Sequence, residues 1–188
     1  GVEMNPGPPL DPGPPVRNVP ELDSLLSKKG TKMFHQNVRG LFPNFNLVEE
    51  LLSTFNKIDI LTLSETHLTT DEPEELLQIS GFHFINKPRN SSRGGGVGIY
   101  ISDKFDFKRR EALEKNCLGC IWIKILVKSG KNYLVCSIYI PPAGSKYLHK
   151  NTNAYLSEML SLSSKDNLET ILHGDINVNF LRNTDNKD

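Results

Sequence analysis

Along the chain the apolar positions fall into short runs whose period alternates between about two and about three and a half, the signature of strands interleaved with helices. The first, KMFHQNV (32–38), reads as a strand and gives way to a polar turn at Arg39 and Gly40. In NLVEELLSTF (46–55), Leu47, Leu51 and Phe55 share one helical face, with Val48 and Leu52 beside them. IDILTLSE (58–65) is a short apolar strand that ends in an acid. PEELLQI (73–79) is helical in pattern, and Pro73 is tolerable in its first turn. FHFINK (82–87) reads as a strand, and RNSSRGGG (89–96) interrupts it with a loop. VGIYIS (97–102), CIWIKILV (120–127) and NYLVCSIYI (132–140) are β-branched or aromatic throughout. KSGK (128–131) marks a hairpin turn between the last two. NAYLSEMLSLSS (153–164) is a helix and ETILHGDI (169–176) a final strand. Helices recur between strands while hairpins occupy the middle, so the pattern predicts an α/β fold in which helices sandwich the sheets.

The first 20 residues differ in kind. They repeat PGPP at 6–9 and 12–15, and so much proline and glycine supports neither a core nor a ladder. Residues 1–31 are therefore expected to be a flexible tail, and 32–188 one domain of a length that buries a real core. Composition adds exclusions. Lys plus Arg equals Asp plus Glu at 22 each, so a nucleic-acid partner would have to be held by a local patch rather than by global charge. Cys117, Cys120 and Cys136 are too few and too oddly numbered for a disulfide framework, which favours a reducing compartment. With no apolar run of membrane-spanning length and no signal-peptide pattern, an intracellular protein without a membrane partner is expected.

Candidate chemistry collects where strands end. Asn37 closes the first strand, Glu65 the second, and Asp175 and Asn177 the last, while Tyr139 precedes the double proline of SIYIPP. In layered α/β folds functional groups gather beyond the carboxyl ends of strands. Acids and amides of this kind suit metal-assisted phosphoester hydrolysis. A hard cation such as Mg²⁺ (or Mn²⁺) takes few carboxylates and keeps several waters. Glu65 would be its ligand, with Asn37 orienting the metal-bound water or the phosphate. Asp175 would orient or deprotonate the attacking water. Asn177 and Tyr139 would donate hydrogen bonds to oxygens that gain charge in the transition state.

Taken in order, NVRG, SETHL, RGGGVGIYI, SIYIPP and HGDIN make residues 32–188 resemble the apurinic/apyrimidinic-type endonuclease domain of non-LTR (LINE-type) retrotransposons, within the endonuclease/exonuclease/phosphatase superfamily. The resemblance implies a four-layer α/β/β/α sandwich and a Mg²⁺-dependent nick in target DNA. It also implies a nuclear setting and a parent polyprotein with a C-terminal reverse transcriptase domain. It places Asn37, Glu65, Tyr139, Asp175 and Asn177 at matching motif positions, with Arg93 and its following glycines flanking the site. The family's set is completed by a Ser-Asp-His motif beyond the HGDIN position, and no such motif occurs between Asn177 and Asp188. The resemblance therefore also implies missing C-terminal strands and impaired nicking by this chain. GVEMNPGPP at the start resembles a 2A-like ribosome-skipping peptide, with Gly1 where the pattern has aspartate, and is read as a relic.

Plainer readings stand beside these. Asp175, Asn177 and Asn37 are also turn formers. His67 and His173 each share a strand face with a neighbouring acid, which fits a packed or solvated imidazole as well as a role near the site. CLGC (117–120) has zinc-knuckle spacing but no second pair. RGGGVG leads into a strand rather than a helix, against a dinucleotide loop. Lys87, Arg89 and Arg93 form one basic stretch suited to a DNA backbone, and Lys104, Lys108, Arg109 and Arg110 another. Two rival functions remain: another phosphoesterase of the superfamily, and a decayed copy that binds DNA or protein without catalysis.

Overall fold

A computed structural model describes residues 24, 26–55, 57–88, 95–115 and 118–177. The chain divides into two compact units, Gly1–Gly30 and Thr31–Asp188, and every strand among the described residues lies in the second. Its elements are β1 (Met33–Asn37), α1 (Leu41–Thr54), β2 (Ile60–Ser64), β3 (Phe82–Lys87), β4 (Val97–Ser102), β5 (Asp106–Arg109), β6 (Gly119–Leu126), β7 (Tyr133–Tyr139), α2 (Thr152–Ser164) and β8 (Glu169–Asp175). Short 3₁₀ turns occupy Glu74–Leu77 and Glu111–Leu113.

The strands form two sheets of the same design. One has the order β1-β2-β4-β3 and the other β5-β6-β7-β8. In each, an antiparallel trio ends in one parallel pair: β1 with β2, and β7 with β8. Period-two alternation decides which residues meet between the sheets. Ile60, Val97, Ile99, Ile101, Ile121, Ile123, Ile125 and Val135 form one buried cluster. The opposite face of the second sheet, with Cys120, Trp122, Leu134, Cys136 and Ile138, packs with Met159 of α2. Leu61 and Leu63 of β2 point away from the inter-sheet cluster and are wholly buried, as is Leu41 of α1. The two mixed sheets flanked by helices are the α/β sandwich expected from the pattern.

Several local expectations are corrected. The first helix begins at Leu41, five residues before the apolar run suggested. Gly40 adopts φ 106°, and its amide and that of Leu41 donate to the carbonyls of Glu65 and Thr66 at 2.7 and 2.8 Å. Pro43 then falls in the first turn, where its missing N–H costs nothing. The buried face is Leu41, Val48 and Leu52, with Phe55 just beyond, whereas Leu47 is 63% exposed. PEELLQI makes only a 3₁₀ turn. DFKR, read as part of a basic stretch, is the edge strand β5; charge along such an edge disfavours pairing with other chains. Three cations of that stretch are paired internally: Lys104 with Asp59, Arg109 with Glu114 and Arg110 with Asp166.

Candidate active site

Four neighbouring strand segments change character in the same direction. On their inter-sheet face β2 runs Ile60–Thr62–Ser64, β1 Met33–His35–Asn37, β7 Val135–Ser137–Tyr139 and β8 Ile171–His173–Asp175. Each goes from apolar to polar toward its carboxyl end. Because β1 pairs with β2, and β7 with β8, in parallel register, the polar ends align within each sheet. Asn37 lies opposite Ser64, and Tyr139 opposite Asp175. The sheets then bring the two rows together. Asn37 Nδ2 donates to Glu65 Oε1 at 2.9 Å and to Asp175 Oδ2 at 3.2 Å, joining residues 138 positions apart.

The carboxylates are held on stiff supports. Glu65 sits in the left-handed region at φ 54°, as does His67, an uncommon conformation for either residue. The loop bearing them is clasped on both sides. Gly40 and Leu41 donate to the Glu65 and Thr66 carbonyls, while Thr66 and His67 donate to Gly96 and Gly95 at 3.3 and 2.8 Å. Gly96, at φ 83°, would place a Cβ 2.5 Å from Thr66 Oγ1, so the clasp needs glycine there. His67 Nε2 lies 3.7 Å from Glu65 Oε2. On β8, Asp175 Oδ1 accepts the Asn177 amide at 3.1 Å, a turn in which Asn177 takes φ 49°. The Asn177 side chain donates to the Ile140 carbonyl at 2.9 Å and ties the end of β7 to β8. Here the turn-forming chemistry and the site chemistry are the same bonds.

Beneath the acids lies a polar network that the sequence pattern does not announce. Thr62 Oγ1 is 3.1 Å from Nδ1 of His35, 3.1 Å from Nδ1 of His173 and 3.2 Å from the Phe34 carbonyl. A hydroxyl has one proton and accepts twice. All three bonds form when it donates to the carbonyl and both imidazoles carry their proton on Nδ1. His35 Nε2 then accepts from Ser64 Oγ at 3.3 Å. The rings meet edge to face, 5.7 Å between centroids. Burial, and His173 next to it, push the His35 pKa down, against the opposing pull of Asp175 and a backbone bond with Thr62. Burial alone pushes His173 down. Both imidazoles are thus held neutral between the sheets. His35 and His173 are spaced two residues from Asn37 and Asp175, a signal visible in the sequence; the threonine between them gives none.

The other expected residues divide into those at the site and those drawn away from it. Tyr139 lies in the site row of the second sheet and packs against the inter-sheet cluster. Lys87 ends β3 opposite Val97, but its ammonium donates to the Lys115 carbonyl at 3.2 Å and pairs with buried Glu114 at 3.4 Å. Arg89 and Arg93 lie outside the described residues, as does Cys117. Cys120 and Cys136 are free, buried thiols whose pKa burial raises.

The donor set fits a hard divalent cation of low protein coordination. A cation such as Mg²⁺ takes one or two protein carboxylates and completes its shell with water and substrate oxygens, and Glu65 and Asp175 are two carboxylates held on one amide nitrogen. Of the two, the Glu65 side chain is a quarter exposed and could hold such a cation. Asn37 faces the acids with its nitrogen, because carboxylates only accept, and its oxygen takes the Arg39 amide at 3.3 Å. No helix among the described residues is long and apolar enough to cross a membrane.

Residues 35–179 match the model of the Endonuclease/Exonuclease/phosphatase family. Among solved structures, the endonuclease domain of TRAS1, a telomere-specific non-LTR retrotransposon, aligns with a TM-score of 0.57 at 16% identity, covering 80% of this chain and 60% of that one. The AP endonuclease LMAP from Leishmania major aligns with a TM-score of 0.60 at 20% identity, covering 78% and 54%. The 3' phosphatase NExo from Neisseria, bound to a product DNA hairpin, gives 0.51 at 20%, covering 79% and 58%. At these identities the likeness is one of fold, and the chain spans between half and two thirds of the length of each. No curated protein matches the chain in sequence.

Proposed function

This chain belongs to the endonuclease/exonuclease/phosphatase family, and we propose that it is a divalent-metal-dependent phosphodiester hydrolase that nicks DNA, of the non-LTR retrotransposon endonuclease type. The observation that carries this reading is the convergence of Asn37, Glu65 and Asp175 across the two sheets through one amide nitrogen. A bound Mg²⁺ or Mn²⁺ would be held by Glu65 and would polarise the phosphoryl oxygen and neutralise charge on the leaving oxygen. Asn37 keeps the two carboxylates at a fixed separation, so one acid serves the cation while the other faces the nucleophile. Asp175, fixed by donors on both oxygens, orients the attacking water and takes its proton. Asn177 uses one N–H on Ile140 and has a second for a phosphate oxygen. Tyr139, in register with Asp175, supplies a further donor from the adjoining strand. The five ordered motifs, with SETHL and RGGGVGIYI among them, favour the retrotransposon type and a DNA substrate over a phosphomonoester.

The test is Mg²⁺-dependent nicking of supercoiled plasmid, with a phosphomonoester substrate in parallel. Conversion to the relaxed form, lost with EDTA and reduced on the order of a hundredfold or more in Asp175→Ala and Glu65→Ala, is expected. Monoester hydrolysis without nicking would move the chain to phosphatase chemistry. Nicking that survives both substitutions would overturn the assignment of these residues.

A further inference from the structure

The glycines at the start of β4 and two buried oxygens beside them define a site that the hydrolytic residues do not use. Gly96 and Gly98 leave space where side chains would otherwise stand. A Cβ at Gly96 would meet Thr66 Oγ1 at 2.5 Å and the Lys87 carbonyl oxygen at 3.7 Å. One at Gly98 would meet the Phe84 ring at 3.1 Å and Thr66 Cγ2 at 3.5 Å. Asn86 of β3 lies directly opposite Gly98 in the antiparallel ladder, so its side chain leaves the sheet on that same face. Thr66 and Asn86 therefore flank one spot. Thr66 comes to it from the loop that carries Glu65, and Asn86 from the outer strand of the sheet.

Each of these side chains keeps an oxygen buried without a protein partner. Thr66 is 1% exposed, and neither its Oγ1 nor the buried Oδ1 of Asn86 makes a hydrogen bond among the described residues. Chemistry fixes which way the Asn86 amide faces. Its nitrogen donates to Glu74 Oε1, and a carboxylate only accepts, so the oxygen is the end left inside. An orphaned buried hydroxyl or amide oxygen destabilises a fold, and native chains rarely leave one uncovered. The two atoms have complementary capacity, since the hydroxyl can donate and the amide oxygen only accepts. One water satisfies both, taking the Thr66 proton in a hydrogen bond and donating one of its own to Asn86 Oδ1.

We propose that Thr66 and Asn86 hold one buried water that pins the loop bearing Glu65 to β3. The proposal rests on the hydrolase reading only for what that loop does, because Thr66 adjoins the residue that would hold the cation. The loop's backbone is clasped by Gly40, Leu41, Gly95 and Gly96, and the water adds a side-chain tether. Asn86 is also bonded to Glu74, at the start of the 3₁₀ turn Glu74–Leu77. Both ends of the segment between Glu65 and Glu74 are thus referred to one strand residue. Thr66 and Asn86 are positioning residues in this scheme: they act through Glu65, which is held in an uncommon backbone conformation and gains from each added tether.

The experiment is a double-mutant cycle in urea on the full chain, with Thr66→Val and Asn86→Leu. Valine keeps the shape of threonine, so the sign of its effect reads the site. With a water bound, Thr66→Val removes one of its partners and lowers the urea midpoint. At a dry site the same change removes an orphaned hydroxyl and raises the midpoint, which overturns the proposal. The loss from Thr66→Val should shrink or vanish where Asn86 is already leucine, and an equal loss in both backgrounds also overturns it. A crystal structure of the parent chain, which needs neither variant to fold, should show a water within hydrogen-bond distance of both oxygens. A direct bond between Thr66 and Asn86 in its place counts against the proposal. The positioning role is read from Mg²⁺ without DNA. The rise in melting temperature with added Mg²⁺ should need about tenfold more of the ion in Thr66→Val and be absent in Glu65→Ala. An unchanged Mg²⁺ requirement in Thr66→Val removes the positioning role. If Mg²⁺ moves the melting of no form while the urea cycle behaves as expected, the metal-dependent hydrolase reading fails and the water site stands.

Discussion

At Gly174 the parallel strands β7 and β8 approach more closely than any side chain allows. A Cβ there would lie 1.9 Å from the Ile138 carbonyl oxygen, against backbone that cannot swing aside. The glycine of HGDIN is thus what lets Asp175 reach the site row. Gly174→Ala should cost about 3 kcal/mol or more, seen as a lowered urea midpoint, because the strand pair must separate to admit the methyl group. Thr62 is the other residue on which the site depends. Thr62→Val keeps the shape but leaves the Nδ1–H groups of His35 and His173 without their shared acceptor. A loss of about 2 kcal/mol in unfolding free energy is expected. Nicking should fall as well, since β1 and β8 carry Asn37 and Asp175 two residues further on. Thr62→Ser, which retains the hydroxyl, should recover most of both.

At the scale of elements, the antiparallel parts of the two sheets are joined by one buried acid. Glu114 follows the 3₁₀ turn Glu111–Leu113, and its side chain is only 6% exposed. It accepts two bonds from Arg109 of β5 at 3.0 Å each, one from the Trp122 amide of β6 at 3.2 Å, and pairs with Lys87 of β3. Burial by itself would raise its pKa. The Arg109 bonds, the Trp122 amide and the Lys87 and Arg109 charges outweigh burial and lower it below the ordinary 4.5. A carboxyl with a lower pKa folded than unfolded stabilises the fold fully above its unfolded value, and that stability disappears as pH falls through the folded value. Thermal unfolding should therefore show a midpoint that declines as pH drops below about 4.5. Glu114→Gln should be less stable at pH 7 and less steeply dependent on acid over that range. The same cluster explains why Lys87, expected from sequence at a DNA backbone, has its ammonium turned inward: the buried acid binds it.

At the scale of the whole molecule, the site exists only while the sheets stay packed. Asn37 and Glu65 come from one sheet and Asp175 from the other, and the aliphatic cluster of Ile60, Ile99, Ile121 and Val135 holds them in apposition. Ile121→Ala, at a wholly buried position, should cost about 2–5 kcal/mol. In urea, plasmid nicking, Trp122 fluorescence and far-ultraviolet circular dichroism should fall with one midpoint, and that midpoint should shift together in the variant. Nicking that disappears well before the fluorescence transition would mean that the site opens without separation of the sheets.

The sequence by itself determined most of the architecture, because alternating burial and strand-end polarity are local properties. Seven of the strands are legible as β-branched or aromatic runs, and the residues at the ends of β1, β2, β7 and β8 stand out by their chemistry alone. What it obscured was also physical. β5 is an edge strand whose DFKR sequence carries no apolar alternation strong enough to distinguish it from a charged loop. The start of α1 hides behind Pro43, harmless only because it falls in a first turn. Leu47 fits the apolar period yet faces solvent, since the burial of Leu41 turns the helix. Only the tertiary structure could decide that one amide nitrogen of Asn37 joins two acids. Only it could show that Thr62 joins two histidines far apart in the chain, and that Lys87 belongs to Glu114. Each is a contact between strands of different sheets or distant loops, and such pairings follow from how the sheets stack, which no local run of residues encodes.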